Sequence, residues 1–424
     1  MLVFKFGGAS VKDEKAVKNV AEIVSLYQNK EIIIVVSAMG KTTNALEEIL
    51  DAYKNKNEIA FLEKISQLEG YHKQIINALF LDKKNSIFKI IDEFFKKLRD
   101  LYHIPFSENY SLQYDQVVSL GEILSSHILC SYFISQKTPA NWIDARCLIH
   151  TDDTFQEAKI DWKKTEEAIT QELLPKFKQN KISVTQGFIG GTKDGKTSTL
   201  GREGSDYSAA IFAYCCNAES VTIWKDVPGM LNADPKYFED TKKLDKISFK
   251  EALELSYYGA SVIHPKTIKP LQNKGIPLFV KSFLEPHEEG TIIQEDAEND
   301  NLIPSFIVKH EQVLFSFTPK DFSFIAEENL STIFKGLSES SVKINLMQNS
   351  ALSFSILLDQ NKINKETLLE RFQSEYTVKY NDGLELITIR HYDEETINKM
   401  TKGKEILVQQ RTRQTARFVV KDII

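Results

Sequence analysis

Residues 31–38, EIIIVVSA, hold an unbroken apolar run from Ile32 to Val36, every side chain β-branched, and no other stretch limits the fold so strongly. A strand that is apolar on both faces belongs inside a parallel sheet with helices packed on either side. The residues before it agree. Leu2 to Phe6 reads as a strand and Gly7 and Gly8 turn it. Ser10, with Asp13 three residues on, makes a capping-box-like start for a helix whose apolar positions are Val17, Val20, Ala21 and Val24. The chain therefore opens with a βαβ unit carrying glycines in its first turn. The third glycine of a dinucleotide fingerprint is missing, and no Gly-Lys-Ser/Thr of a Walker A loop follows.

The alternation continues downstream. Strand-like segments at Asn141 to Asp144, Ile182 to Gln186, Ser220 to Trp224 and Ile276 to Val280 are separated by helical ones, which predicts an α/β sheet between helical layers. Lys41 to about Asn109 is helical and charged, and Val117 to Tyr132 is a further helix. Ser248 with Glu251 caps a helix that stops at Gly259; Pro265 opens the next and Gly275 closes it. His264, with no carboxylate or thiol nearby in sequence, reads as structural.

A length of 424 residues calls for two or three domains. The polar stretch Gln294 to Pro304, QEDAENDNLIP, is the best boundary. Beyond it smaller units follow: strand, helix, strand, strand and helix from Val313 to Phe372, then strand, helix, strand, strand from Leu384 to Val420. This predicts a duplicated βαββ module with a shortened second copy. The domains expected are 1–295, 305–380 and 381–424.

A net charge of −6, spread along the chain, gives no electrostatic support to nucleic-acid or anionic-membrane binding. MLVFKFGGAS lacks the basic flank and long apolar core of a signal peptide, and no apolar run approaches the ~18 residues of a membrane span. Cys130, Cys147, Cys215 and Cys216 have neither metal-ligand spacing nor disulfide density. The expectation is a soluble cytoplasmic protein without a metal site built from its own side chains.

The chemistry concentrates between Gly187 and Pro228. A strand runs into Gly187, Gly190 and Gly191, and a polar loop then delivers Arg202, Gly204, Ser205 and Asp206 to an Ala-rich helix. Glycine turns and first helical turns present free N–H groups to an oxyanion. Ser205 is a candidate N-cap and Asp206 complements the dipole. Lys5, on the first strand, suits a fixed positive charge over a transferring phosphoryl group, or is an ordinary edge lysine. Glu122 suits an ammonium group and Arg202 a carboxylate, a pairing that would select an amino acid.

The segments KFGGAS, SAMGKTTNAL, SLGE, GFIGG, LGREGSDYSAA, WKDVPGMLNADPK, YYGASVIHP and IPLFVKSF, in this order and spacing, closely resemble the aspartate kinases of the amino acid kinase fold. The tail resembles their paired ACT modules. The resemblance implies ATP-dependent phosphorylation of L-aspartate to 4-phospho-L-aspartate, with ATP and Mg2+ as cofactors and a homodimer or higher homo-oligomer formed through the tail. The reaction would be the entry step of lysine, threonine and methionine synthesis, in a monofunctional enzyme.

By the same resemblance Lys5 and Asp206 are catalytic, and Thr43, Glu122, Phe188, Arg202, Gly204 and Ser205 surround aspartate. The nucleotide falls to Lys5, Gly7, Gly8, Ser10, Lys225, Asp226 and the loop from Val227 to Lys236, with Asp234 and Pro235 shaping that loop. Three positions depart from the pattern. Ser261 stands where many relatives carry lysine, Leu231 where a tyrosine stacks near adenine, and Lys236 where arginine is usual. In the tail, Asn345 and the pair Ser350-Ala351 replace the acidic groups that hold lysine in lysine-inhibited relatives. Weak or absent lysine inhibition is the consequence. Two competitors stay open: another kinase of the fold, such as a glutamate kinase, and an inactive amino-acid sensor.

Overall fold

The computed structural model describes residues 1–260, 263–295, 300, 303–321, 323–340 and 342–423. The chain forms two compact units. The first comprises residues 1–230, 243–253 and 261–300, and the second 231–242, 254–260 and 301–424. Segments 231–242 and 254–260, counted with the first domain on sequence grounds, thus cluster with the tail.

In the first unit the chain runs β1 (Leu2–Phe6), α1 (Glu14–Ser25), β2 (Ile32–Val36), α2 (Thr42–Lys54), α3 (Glu58–Leu79), α4 (Ser86–Asp100), α5 (Tyr110–Val118), α6 (Leu120–Ser135) and β3 (Ala140–Ile143). It continues through α7 (Ala145–Leu148), β4 (His150–Thr151), α8 (Trp162–Ala168), β5 (Ile182–Gln186), β6 (Ile189–Thr192), β7 (Thr197–Thr199), α9 (Gly204–Cys216) and β8 (Ser220–Lys225). β9 (Lys246–Ser248), α10 (Phe249–Tyr258), α11 (Pro265–Lys274), β10 (Leu278–Ser282) and β11 (Thr291–Gln294) complete it, the end of α10 passing into the second unit.

Eight strands form one sheet in the order β3-β5-β2-β1-β8-β10-β11-β9, parallel except between β10 and β11. Residues 32–36 are buried throughout, as the apolar run requires. Side chains alternate across a strand, so Phe4 and Phe6 enter the core that β2 shares with α1, α2, α3, α4 and α6, and Lys5 faces the other layer. That layer contains α9, which packs on β1, β2 and β8. A small sheet, β4-β6-β7, stands beside the main one.

Two helix starts differ from the sequence reading. Ser10 lies in a short 3-10 turn, and it is Asp13 that caps α1, accepting from the Ala16 N–H at 2.8 Å. Ser205 is inside α9, whose N-cap is Glu203 in the left-handed conformation at φ 54°. His264 has the structural place expected, capping α11 by accepting from the Lys266 N–H at 3.1 Å. The stretch Tyr110–Ser135 is long and apolar enough to cross a bilayer by length and composition, more so than the sequence reading allowed. Most of its apolar part is buried, and Val117, Val118, Leu124, Ile128 and Phe133 are core residues.

The second unit carries β12 (Ser305–Pro319), α12 (Glu327–Glu339), β13 (Ile344–Asn349), β14 (Phe354–Asp359), α13 (Lys365–Phe372), β15 (Tyr376–Arg390), α14 (Glu394–Thr401), β16 (Lys404–Arg411) and β17 (Thr415–Asp422). The two βαββ runs share one antiparallel sheet in the order β13-β14-β12-β15-β17-β16. β15 runs unbroken across positions 380 and 381, where the sequence reading divides the modules.

Candidate active site

A cleft of about 670 Å3 opens at the carboxyl ends of the central parallel strands, the place where such sheets bind ligands. Lys5 of β1, Ser37 just beyond β2, Phe188 just beyond β5 and Lys225 at the end of β8 stand along it. The first turn of α9 closes one wall with Gly204, Ser205 and Asp206. This approach requires glycine at 187, because a Cβ there would lie 2.5 Å from the Ser205 Cβ.

Asp206 is the electrostatic centre. Its Oδ1 lies 2.6 Å from the Lys5 ammonium and its Oδ2 3.6 Å from that of Lys225. Lys5 and Asp206 are both buried, so this pair is little screened. Burial alone would raise the Asp206 carboxyl; the two lysines outweigh it and hold the group below its ordinary value. Glu203, one turn earlier on the same wall, is raised by burial against the pull of Lys225. Its Oε2 is buried without a hydrogen-bond partner among the described residues.

Glu122, in the first turn of α6, is 3% exposed and also lines the cleft. Its Oε1 accepts from the Ala38 N–H at 3.2 Å, while its Oε2 is buried and unsatisfied. Burial pushes its pKa up to about 8. A buried carboxylate with one open oxygen is a place for an ammonium group. Arg202 lies exposed on the same cleft, with Thr43 and Phe188. Phe188 holds φ 69°, its N–H donating to the Ser208 Oγ at 2.9 Å.

The structure thus brings Lys5, Thr43, Glu122, Phe188, Arg202, Gly204, Ser205, Asp206 and Lys225 to one cleft. Other residues expected at the nucleotide do not line it. Gly7, Gly8 and Ser10 form the turn after β1, where Gly8 packs so closely that a Cβ would be 2.8 Å from the Ala38 carbonyl oxygen. Asp226 is exposed beyond β8. Leu231 and Lys236 belong to the second unit, since the chain leaves the first after Gly229 (φ 152°) and Met230. Ser261 lies outside the described residues.

Ser37, Tyr114, Gln156, Glu157, Thr199, Gly201 and Glu203 also line the cleft, and the sequence reading singled out none of them. Ser37 was findable by the strand-end rule, and Glu203 sits inside a quoted motif. Gln156 and Glu157 lie in a plain polar stretch with no local signal. Among the described residues no group of three or more His, Cys, Asp or Glu side chains could hold a metal ion by itself.

Residues 1–282 match the amino acid kinase family. The chain is 30% identical over 400 residues to lysine-sensitive aspartokinase 3 of Escherichia coli K12, covering 92% of this chain and 86% of the relative. It is 34% identical over 317 residues to an aspartokinase of Chlamydia trachomatis, covering 74% and 70%. The crystal structure of E. coli aspartokinase III with aspartate and ADP superposes with a TM-score of 0.82 at 27% identity, over 99% of this chain and 96% of that one. The chain belongs to the aspartokinases of the amino acid kinase family.

Proposed function

We propose that the cleft transfers the γ-phosphoryl group of ATP to the side-chain carboxylate of L-aspartate, giving 4-phospho-L-aspartate and ADP as the first step toward lysine, threonine and methionine. The observation that carries this reading is the division of one cleft into two chemistries. Lys5 and Lys225 gather on Asp206, and Glu122 and Arg202 of the same cleft offer an anion and a cation to an amino acid.

Phosphoryl transfer needs charge neutralisation and in-line placement, with little covalent work by the protein. An aspartate carboxylate oxygen forms the new P–O bond as the β,γ-bridging P–O bond breaks. Lys5 offsets charge on the moving group, and Asp206 fixes Lys5 and Lys225 in position. The Glu122 carboxylate takes the acceptor's ammonium group and Arg202 its α-carboxylate. Mg2+ fits this site: Asp206 and Glu203 would face it, the open Glu203 Oε2 being an oxygen that a cation satisfies. When bound with the nucleotide, it supplies further neutralisation of the phosphate charge.

The six-stranded sheet, with β13 and β16 as its edges, supports a homodimer assembled through the tail. Unbridged thiols, two of them buried, suit a reducing cytoplasm. ADP release with ATP, Mg2+ and a panel of aspartate, glutamate, N-acetylglutamate and carbamate tests the activity. Turnover with aspartate alone is expected; preference for another acceptor, or activity on none, overturns the reading.

A further inference from the structure

Asp115, in α5, is fully buried, and two separate segments converge on its carboxylate. The Gln156 N–H reaches both oxygens at 3.1 Å, the Thr199 N–H donates to Oδ2 at 2.7 Å, and the Thr199 hydroxyl donates to Oδ1 at 2.7 Å. Its neighbour Gln116 grips the same strand: Nε2 donates to the Thr197 carbonyl at 2.7 Å and Oε1 accepts from the Thr197 N–H at 3.4 Å. The Thr199 carbonyl accepts in turn from the Ala158 N–H at 3.0 Å. β7 and the loop 152–158 are thereby pinned to α5.

Both pinned segments feed one wall of the cleft, through Gln156, Glu157, Thr199, Gly201 and Arg202. Gln156 holds φ 69°, a conformation that a side chain of this kind keeps only when its surroundings impose it. Gly201 holds φ 78°, and a Cβ there would lie 3.1 Å from the Gln156 carbonyl oxygen. The residue before Arg202 is therefore moulded against the residue that Asp115 holds. A carboxylate is required at 115 because three donors meet two oxygens; an amide would turn an N–H toward another N–H. Burial raises the Asp115 carboxyl, and the bonds from Thr199 and Gln156 oppose it.

We propose that Asp115 is the positioning residue of the acceptor half of the cleft: by fixing Gln156 and Thr199 it sets where Arg202 stands, and so controls affinity for the amino-acid substrate without touching it. The inference rests on the assignment of Arg202 to the acceptor carboxylate made above.

Steady-state kinetics and thermal melts of Asp115→Asn, Thr199→Val and Thr199→Ser test it. Loss of hydrogen bonds to a buried charged group is expected to raise the KM for aspartate roughly tenfold or more in Asp115→Asn, with kcat and the KM for ATP changed by less than about threefold. Thr199→Val shifts the same constant in the same direction by less, and Thr199→Ser recovers most of that loss. Combining Asp115→Asn with Arg202→Ala should raise the KM for aspartate little beyond Arg202→Ala alone, because both changes act through one contact. An unchanged KM for aspartate in both Asp115→Asn and Thr199→Val overturns the proposal, as does a fall in kcat with KM constant. Should Asp115→Asn fail to fold, Thr199→Val decides. A wild-type enzyme that does not turn over aspartate, or an Arg202→Ala variant with normal aspartate KM, instead faults the functional reading beneath it.

Discussion

Lys5 on β1 reaches Asp206 in the first turn of α9 at 2.6 Å, a buried ion pair at the centre of the proposed phosphoryl-transfer site. Replacing Lys5 by Ala, or Asp206 by Asn, should lower kcat by about 10²- to 10³-fold, the usual cost of one preorganised electrostatic contact. Near wild-type turnover in either variant, by coupled ADP release, would remove both from the catalytic step. Arg202→Ala should act differently, raising the KM for aspartate roughly tenfold to a hundredfold, the cost of a hydrogen bond to a charged group, with little change for ATP. A shift confined to ATP would exchange the two halves of the site.

Glu122 adds a pH dependence with a definite sign. Its folded-state value of about 8 lies above its ordinary 4.5, so burial keeps it protonated in the empty cleft at neutral pH. The stability that this group contributes is full below pH 4.5 and is lost as pH rises through about 8. Thermal melts of the free enzyme should decline over that window, and Glu122→Gln should flatten the decline. Substrate binding runs the other way, because an ammonium group needs the ionised form. The kcat/KM for aspartate should rise through an apparent pKa near 8, a step absent from the Glu122→Gln profile.

At the level of elements, the placement of α9 depends on one missing side chain. Gly187→Ala would set a methyl group 2.5 Å from the Ser205 Cβ, and the start of α9 has to move. Such overpacking costs about 1–3 kcal/mol. A lowered melting temperature together with reduced kcat is expected; an unchanged melt would show that the helix start yields freely. In the second unit, the Asn345 side-chain amide donates to the Gln312 Oε1 at 2.8 Å and the Asp359 Oδ1 at 2.7 Å, and its oxygen accepts from the Lys309 ammonium at 3.0 Å. Ser350 bonds Ser353 at 2.8 Å. An ammonium ligand finds no free carboxylate at these two positions, and desolvation without a charged partner is not offset. Isothermal titration with lysine should show no saturable binding; micromolar binding with loss of activity would refute this.

Across the whole molecule, periodicity alone reached far. The apolar run at 31–38 required a parallel sheet covered on both faces, and Pro265 and Gly275 bracketed α11 where the structure has it. The motif residues Lys5, Glu122, Arg202 and Asp206 were legible because strand ends and helix starts converge in such folds, and the structure brings them to one cleft. Local patterns are written in neighbouring residues, so the sequence by itself determined the main strands and helices and the side chains able to do chemistry, whereas the short strands β4, β6, β7, β9 and β11 carried no such pattern. What only the tertiary structure decided was proximity. Gln156 and Glu157 join the site because the loop 152–158 is tied to Asp115, and no local pattern records that tie. Leu231 and Lys236 leave the first unit because the chain after Met230 packs with the tail, a choice set by long-range burial. Glu203 could be read as part of a motif, but its left-handed backbone and its open buried oxygen exist only once α9 is packed against the sheet. Each of these depends on contacts between segments distant in the chain, whose energies appear only after the entropy of bringing them together has been overcome.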